Sequence, residues 1–168
     1  FQIASAWRHW NAVGQNSTLT ARGSGSTETA LGLCSGTRNF NYAAASGGAT
    51  FLGGAALSAV GVSTTAWTNC TPASSTSTST SYYDTNYNDI GFVSQSGRLG
   101  QWASFTLPAT VKAGDVGIIG VVNYFTDTTK TVADGRIDVS YIVQSDTAST
   151  AVFNVISKYY NPLIANHL

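Results

Sequence analysis

By its residue pattern the chain falls in the all-β class, as a single antiparallel β-sandwich. Three observations predict this. Apolar residues alternate with polar ones in short runs bounded by turn residues. Gly, Ser, Thr and β-branched residues dominate over the Ala/Leu/Glu/Lys mixture that favours helices. The 168 residues are also one domain's worth of chain, about 100–200 residues. At that size folding buries about 70% of the extended chain's surface, enough for a core.

The clearest strand lies over 135–144. There Ile137, Val139, Tyr141 and Val143 share one face while Arg136, Asp138 and Ser140 take the other, and Asp134-Gly135 before it reads as a turn. Residues 101–107 alternate too, until Pro108 ends the run. Lys112-Ala113-Gly114-Asp115 is a turn signal ahead of 116–125, a run apolar on both faces, as a central buried strand would be. Residues 150–157 supply another strand. About four strands with short connections in the last third suit an antiparallel sandwich of jelly-roll or immunoglobulin-like (Ig-like) type.

The middle is looser. Residues 38–43 and 50–52 look like strands, punctuated by Gly47-Gly48 and Gly53-Gly54. Residues 53–62 fit either a short helix or a small-residue strand, and 62–68 resemble a strand ending at Trp67. Residues 72–81, almost entirely Ser and Thr, read as a low-complexity surface loop. The expected organisation is an N-terminal strand and connector over 1–14, then the sandwich domain over 15–168.

Charge is sparse: 8 basic against 8 acidic residues, 10% of the chain, where globular chains run near 25%. Ser and Thr fill the gap at about a quarter of the residues. Without a Lys/Arg cluster there is no footprint for phosphate, which argues against a nucleic-acid partner. No apolar run approaches the ~20 residues of a spanning helix, so no membrane span is expected. No secretory n-region and h-region stand at the start, which we read as a mature chain with its signal removed. Cys34 and Cys70 are the only cysteines. An even pair in such a composition suggests one disulfide and an oxidising compartment, with two buried thiols as the alternative. Acceptor triplets for N-glycosylation occur at Asn16 and Asn69. Together these point to a secreted or cell-surface protein.

No catalytic constellation emerges. The two histidines, His9 and His167, sit at opposite ends of the chain, and neither a GxSxG elbow nor a phosphate-binding Gly-Lys-Ser/Thr loop is present. Glu28 is the only glutamate, and Asp115, Asp127 and Asp134 sit in turn-like settings. We therefore expect no enzyme activity, no cofactor and no metal. Asp84, Asn86, Asn88 and Asp89 have the composition of a calcium loop but lack its Gly and its bidentate Glu. Trp7, Trp10, Trp67 and Trp102 could stack on sugar rings, although sandwich cores usually consume tryptophans. Tyr82, Tyr83 and Tyr87, in a polar stretch, are the better candidates for a ligand-contact loop.

The N-terminus carries the sharpest expectation. Phe1, Ile3 and Trp7 on one face suggest an apolar strand, either an edge strand of its own domain or an assembly strand that completes the sheet of a neighbouring copy. Such a contact is head-to-tail, and repetition makes a filament. This leading strand, the Lys112–Val116 turn before a long strand, the acceptor triplets and the paired cysteines resemble secreted filament subunits of the donor-strand type, as in archaeal threads and bundling pili. That resemblance implies exchange of residues 1–7 into a groove of the next subunit. Residues 116–143, with GRIDVSYIV at 135–143, are similar to the closing strands of jelly-roll coat proteins of small icosahedral plant viruses, whose basic N-terminal arm is missing here. The expected function is a non-enzymatic, self-assembling subunit of an extracellular filament, with further copies of itself as partners. The alternatives are a secreted carbohydrate-binding or adhesive module, with glycans as partners, and a virion coat protein.

Overall fold

In the computed structural model, which describes residues 1–23, 34–68, 73–147 and 149–161, the alternating runs become strands of one antiparallel sheet. The elements are α1 (Ile3–Val13), β1 (Gln15–Gly23), β2 (Cys34–Tyr42), β3 (Ser46–Phe51), β4 (Gly54–Thr68), β5 (Ser74–Tyr83), β6 (Asp89–Ser94), β7 (Leu99–Phe105), β8 (Val116–Phe125), β9 (Ala133–Ser145) and β10 (Ala151–Tyr160). The all-β class holds. Neighbours in the sheet run β1-β2-β4-β5-β6-β7-β8-β9-β10, and β3 continues the line of β2 along the first part of β4. This is a meander. A jelly-roll would set strands distant in sequence side by side, and no such neighbours occur among the described strands.

Two expectations fall to periodicity. Residues 3–13 are helix, not strand. Ile3 and Trp7 are four apart, the spacing of one helix face, and Ser5 breaks the strand alternation that Phe1, Ile3 and Trp7 suggest. Three alanines at 4, 6 and 12 favour the helix, and Gly14, at φ 74°, ends it by donating its N–H to the Trp10 carbonyl. Residues 74–83 are strand, not loop. Their strict Thr/Ser alternation puts Thr76, Thr78 and Thr80 on one face and Ser75, Ser77, Ser79 and Ser81 on the other. β4 is matched to it: Thr64 lies opposite Thr76, their hydroxyls 3.2 Å apart, and Val62 lies opposite Thr78.

Smaller differences follow the same physics. Residues 54–62, ambiguous in the sequence, are the start of the 15-residue β4. The turn expected at Asp134-Gly135 lies earlier, where Thr126 N–H donates to the Val132 carbonyl, and Gly135 sits inside β9 at φ 104°. The run 116–125 is not buried on both faces throughout: Ile119 and Val122 are 2% and 4% exposed, Val116 and Ile118 67% and 78%. Cys34 opens β2 without a described side chain, and Cys70, Asn69, Glu28 and His167 lie outside the described residues, as does any disulfide between the cysteines.

Apolar clusters form on both faces of the sheet. One gathers Phe51, Ala56 and Leu99 with Tyr82, Ile90, Val93 and Phe125. The other gathers Ile119, Val122 and Val139 with Phe92, Trp102, Phe105 and Phe153 among its neighbours. Register places them on opposite sides: Val93 faces Leu99 and Phe125 across β6–β8, whereas its chain neighbour Phe92 faces Gly100 and Tyr124. Gly91 lets the Phe51 ring lie close against the sheet, since a Cβ there would stand 2.3 Å from that ring.

Candidate functional site

Where α1 crosses the sheet, the regular ladder breaks twice, and each break re-aims a side chain. In β6 the residue Ile90 is extra: Tyr82 pairs with Gly91, but Tyr83 pairs with Asp89. Asp89 thereby joins the face of Tyr83, beneath the helix, instead of pointing away from it. In β7 the extra residue is Ala103, between Trp102 (opposite Val122) and Ser104 (opposite Val121). Trp102 and Phe105, three apart, would face opposite ways in a regular strand. The bulge sets both on one side, with ring centroids 4.9 Å apart and edge to face. Phe105 in turn lies 6.2 Å from Trp7, and Trp7 6.3 Å from Trp10. Four aromatic rings thus run from the helix onto β7.

Polar side chains pin the helix beside this row. The Trp7 Nε1–H donates to Asp89 Oδ2 at 2.7 Å, and Asn11 Nδ2 donates to the same oxygen at 3.4 Å and to the Tyr87 carbonyl at 3.0 Å. Arg8 Nε donates to Asn88 Oδ1 at 3.1 Å, and Ala45 N–H donates to the Asn11 carbonyl. Phe1 and Val111 exchange two backbone bonds, N–H to carbonyl each way. Of the residues expected to leave for another copy, Phe1 and Trp7 are therefore fastened to their own chain, and Ile3 opens the helix between them.

The loop 84–88 is built on Asp84. Its Oδ1 accepts from the N–H groups of Asn86 and Asn88, and its Oδ2 accepts from Asn88 Nδ2 at 2.8 Å. That spends the carboxylate on its own turn, while Asp89 turns toward Trp7, so the two acids do not converge as calcium ligands would. No group of three or more His, Cys, Asp or Glu that could hold a metal occurs among the described residues. Tyr87 stands at φ 61° in this turn.

The two carboxyls are tuned apart. Burial pushes the Asp89 carboxyl up to about 6, against the hydrogen bonds from Trp7 and Asn11 that pull it down. Burial also acts to raise Asp84, but the bonds from Asn88 and Asn86 and the Arg8 charge together outweigh it and hold Asp84 below the usual carboxylate range. Burial beneath the helix pushes the Tyr83 hydroxyl up to about 12, with Asp89 adding to the rise.

A cleft of about 580 Å³ opens along these residues. Trp102, Phe105 and Leu107 line it with Arg8, Asp84, Asn88, Asp89 and Gln101, and the β3–β4 turn brings Leu52 to its rim. A second cavity of about 220 Å³ lies under α1 between Trp7, Trp10, Tyr42 and Tyr83, and Asp89 borders both. Of the tyrosines expected to contact a ligand, none reaches this cleft. Tyr82 stacks on Phe51 at 4.7 Å, Tyr83 is 4% exposed, and Tyr87 lends its carbonyl to Asn11. They end β5 or brace its turn because the Ser/Thr run before them is strand. His9 is exposed on α1, and Asn16 is exposed on β1. Asp89, Asn11, Arg8 and Gln101 are site residues the sequence did not single out as a set, since Trp7 and Asp89 meet across 82 positions.

Fold and site define an all-β meander whose one described helix borders an aromatic-walled, polar-floored cleft at a pair of bulges. No protein-family model matches the chain, and neither a curated protein nor a solved structure matches it. No helix among the described residues is long and apolar enough to cross a membrane.

Proposed function

We propose that the chain is a secreted module that binds a neutral saccharide in the cleft beside α1. The carrying observation is the bulge at Ala103, which turns Trp102 and Phe105 to one side, that of Asp89, at a cleft that Asn88 and Gln101 also line. Sugars present apolar C–H faces and a rim of hydroxyls, and a site that holds one needs aromatic surface together with planar acceptors and donors. Beyond the bonds they already make within the chain, the Asp84 and Asp89 carboxylates keep lone pairs, and the Gln101 amide offers a donor, for hydroxyls without asking for charge on the ligand, and one Arg against two acids disfavours an anionic sugar. Secretion is supported by the sparse charge, the cysteine pair and the exposed acceptor triplet at Asn16. Self-association is the second reading, and the observation favouring it is the apolar outer side of β10, which no described strand pairs.

Calorimetry against a panel of neutral oligosaccharides tests this. At least one should bind, and Trp102→Ala should weaken it about fivefold or more, since a stacked aromatic contact is worth roughly 1 kcal/mol or more. Binding that survives Trp102→Ala unchanged, or a panel that gives no binding at all, overturns the reading.

A further inference from the structure

We infer that β10 is a homodimer edge, along which two copies join their sheets into one through a two-fold axis at Ile156. Among the described residues β10 pairs with β9 alone, so its outer row of backbone N–H and C=O groups has no strand beside it. Val152, Val155, Ile156 and Tyr159 are 44–49% exposed there, and Lys158 is the single charge in Ala151–Tyr160. Proteins blunt such edges with charge, proline or a bulge, and this strand has almost none of these devices.

The occupant follows from direction and register. Each strand is antiparallel to the next, and β1 and β10 are eight steps apart along the sheet, so they run the same way. Adding a copy by translation would therefore join β10 to β1 in parallel. Joining β10 to itself about a two-fold axis is antiparallel, the pairing used everywhere else in this sheet. A two-fold axis perpendicular to the sheet keeps each face on its side, so residue i must pair with one of the same parity. Centred on Ile156, that rule sets Ile156 against itself, Val155 against Ser157, Asn154 against Lys158, Phe153 against Tyr159 and Val152 against Tyr160. Aromatic rings meet aromatic or β-branched partners, and the lone cation meets an amide. Centring one residue earlier sets Val152 against Lys158, Phe153 against Ser157 and Ile156 against Asn154; centring at Lys158 sets like charges together. A two-fold pairing of this kind closes, and gives a dimer in place of the filament that head-to-tail exchange would make.

Sedimentation equilibrium of the full chain tests it, with two variants. The native chain should sediment at twice its 17.5 kDa mass at about 100 µM. Ile156→Lys puts two cations on the axis and should weaken dimerisation about tenfold or more, while Ile118→Lys, an equally apolar exposed position on β8, should leave it intact. A native chain that stays monomeric, or a dimer broken by Ile118→Lys and not by Ile156→Lys, overturns the inference. Hydrogen exchange on the native chain covers the case in which Ile156→Lys does not fold. Amide protection over 152–160 that rises with protein concentration supports the edge, and protection independent of concentration sinks it.

Discussion

Asp89 shows how one residue's surroundings set the pH behaviour of the whole. Its carboxyl is taken under α1 by the bulge at Ile90, and burial lifts it to about 6 from an ordinary value of 3.8. An acid whose folded pKa stands above its unfolded one binds its proton more tightly when folded. Stability is therefore highest below about 4, falls as pH rises toward about 6, and stays low beyond. Two units of displacement correspond to roughly 3 kcal/mol, less what the solvent still reaching the residue removes. Asp84 runs the other way: its depressed carboxyl contributes stability above its unfolded value that is lost at lower pH, in a separate window. Asp89→Asn keeps the acceptor for Trp7 and removes the charge. It should flatten the melting temperature between pH 4 and 6 and raise it at pH 7 by several degrees in calorimetric scans. A variant that melts lower than native at pH 7 would mean the ionised carboxylate is held by more than Trp7 and Asn11.

At the scale of elements, strain and irregularity gather at the cleft. The β3–β4 hairpin turns on Leu52 and Gly53, at φ 51° and 85°, the two positive values a two-residue turn of this hand requires. Gly is made for that region and leucine is not, so Leu52 is a strained residue holding an apolar side chain, 41% exposed, at the rim of the site. Leu52→Gly should gain about 1 kcal/mol in urea unfolding and at the same time weaken saccharide binding about two- to threefold. A loss of stability would mean the leucine's contacts outweigh its backbone. The legible elements are those whose pattern is local. The strands at 137–143 and 101–105 announce themselves by alternation, and the turn at 112–115 by its composition: Asp115 accepts the Lys112 N–H and Gly114 stands at φ 92°. In β5 the signal is present but faint, because Thr/Ser alternation carries no hydrophobic contrast although Thr is β-branched and suits a strand. In α1, Ile3 and Trp7 fit both periods, and Ser5 between them is the residue that speaks against the strand. Bulges leave no such trace. One extra residue at Ile90 or Ala103 exchanges the faces of everything beyond it without changing composition, so the site they build appears only once the strands are paired.

For the whole molecule, the connections matter more than any single contact. Consecutive described strands lie side by side, except that β2 pairs with β4 and not with β3, so the fold class follows from counting strands while the skipped pairing does not. What holds that sheet is neutral. Its clusters are apolar, its outer rows carry Thr, Ser and Asn, and Thr18 donates to Asn39 across β1–β2 as Thr64 meets Thr76 across β4–β5. Ion pairs among the described residues are confined to the β7–β10 half: Arg98 with Asp134, and Arg136 with Asp138. Both are partly exposed, and exposed pairs contribute about 0–1 kcal/mol. With 8 charges of each sign and no net charge, there is neither strong self-repulsion for salt to relieve nor a strong network for it to weaken. The melting temperature at pH 7 should accordingly move by less than about 2 °C between 0.02 and 1 M sodium chloride. Sodium sulfate at equal ionic strength should raise it, because an excluded salt strengthens apolar burial whatever the charges do. A steep fall in sodium chloride would place the stability in Arg98 and Arg136 after all, and Arg98→Gln, which keeps a donor near the Tyr159 hydroxyl and the Asp134 carbonyl that Arg98 now reaches, would then abolish that fall.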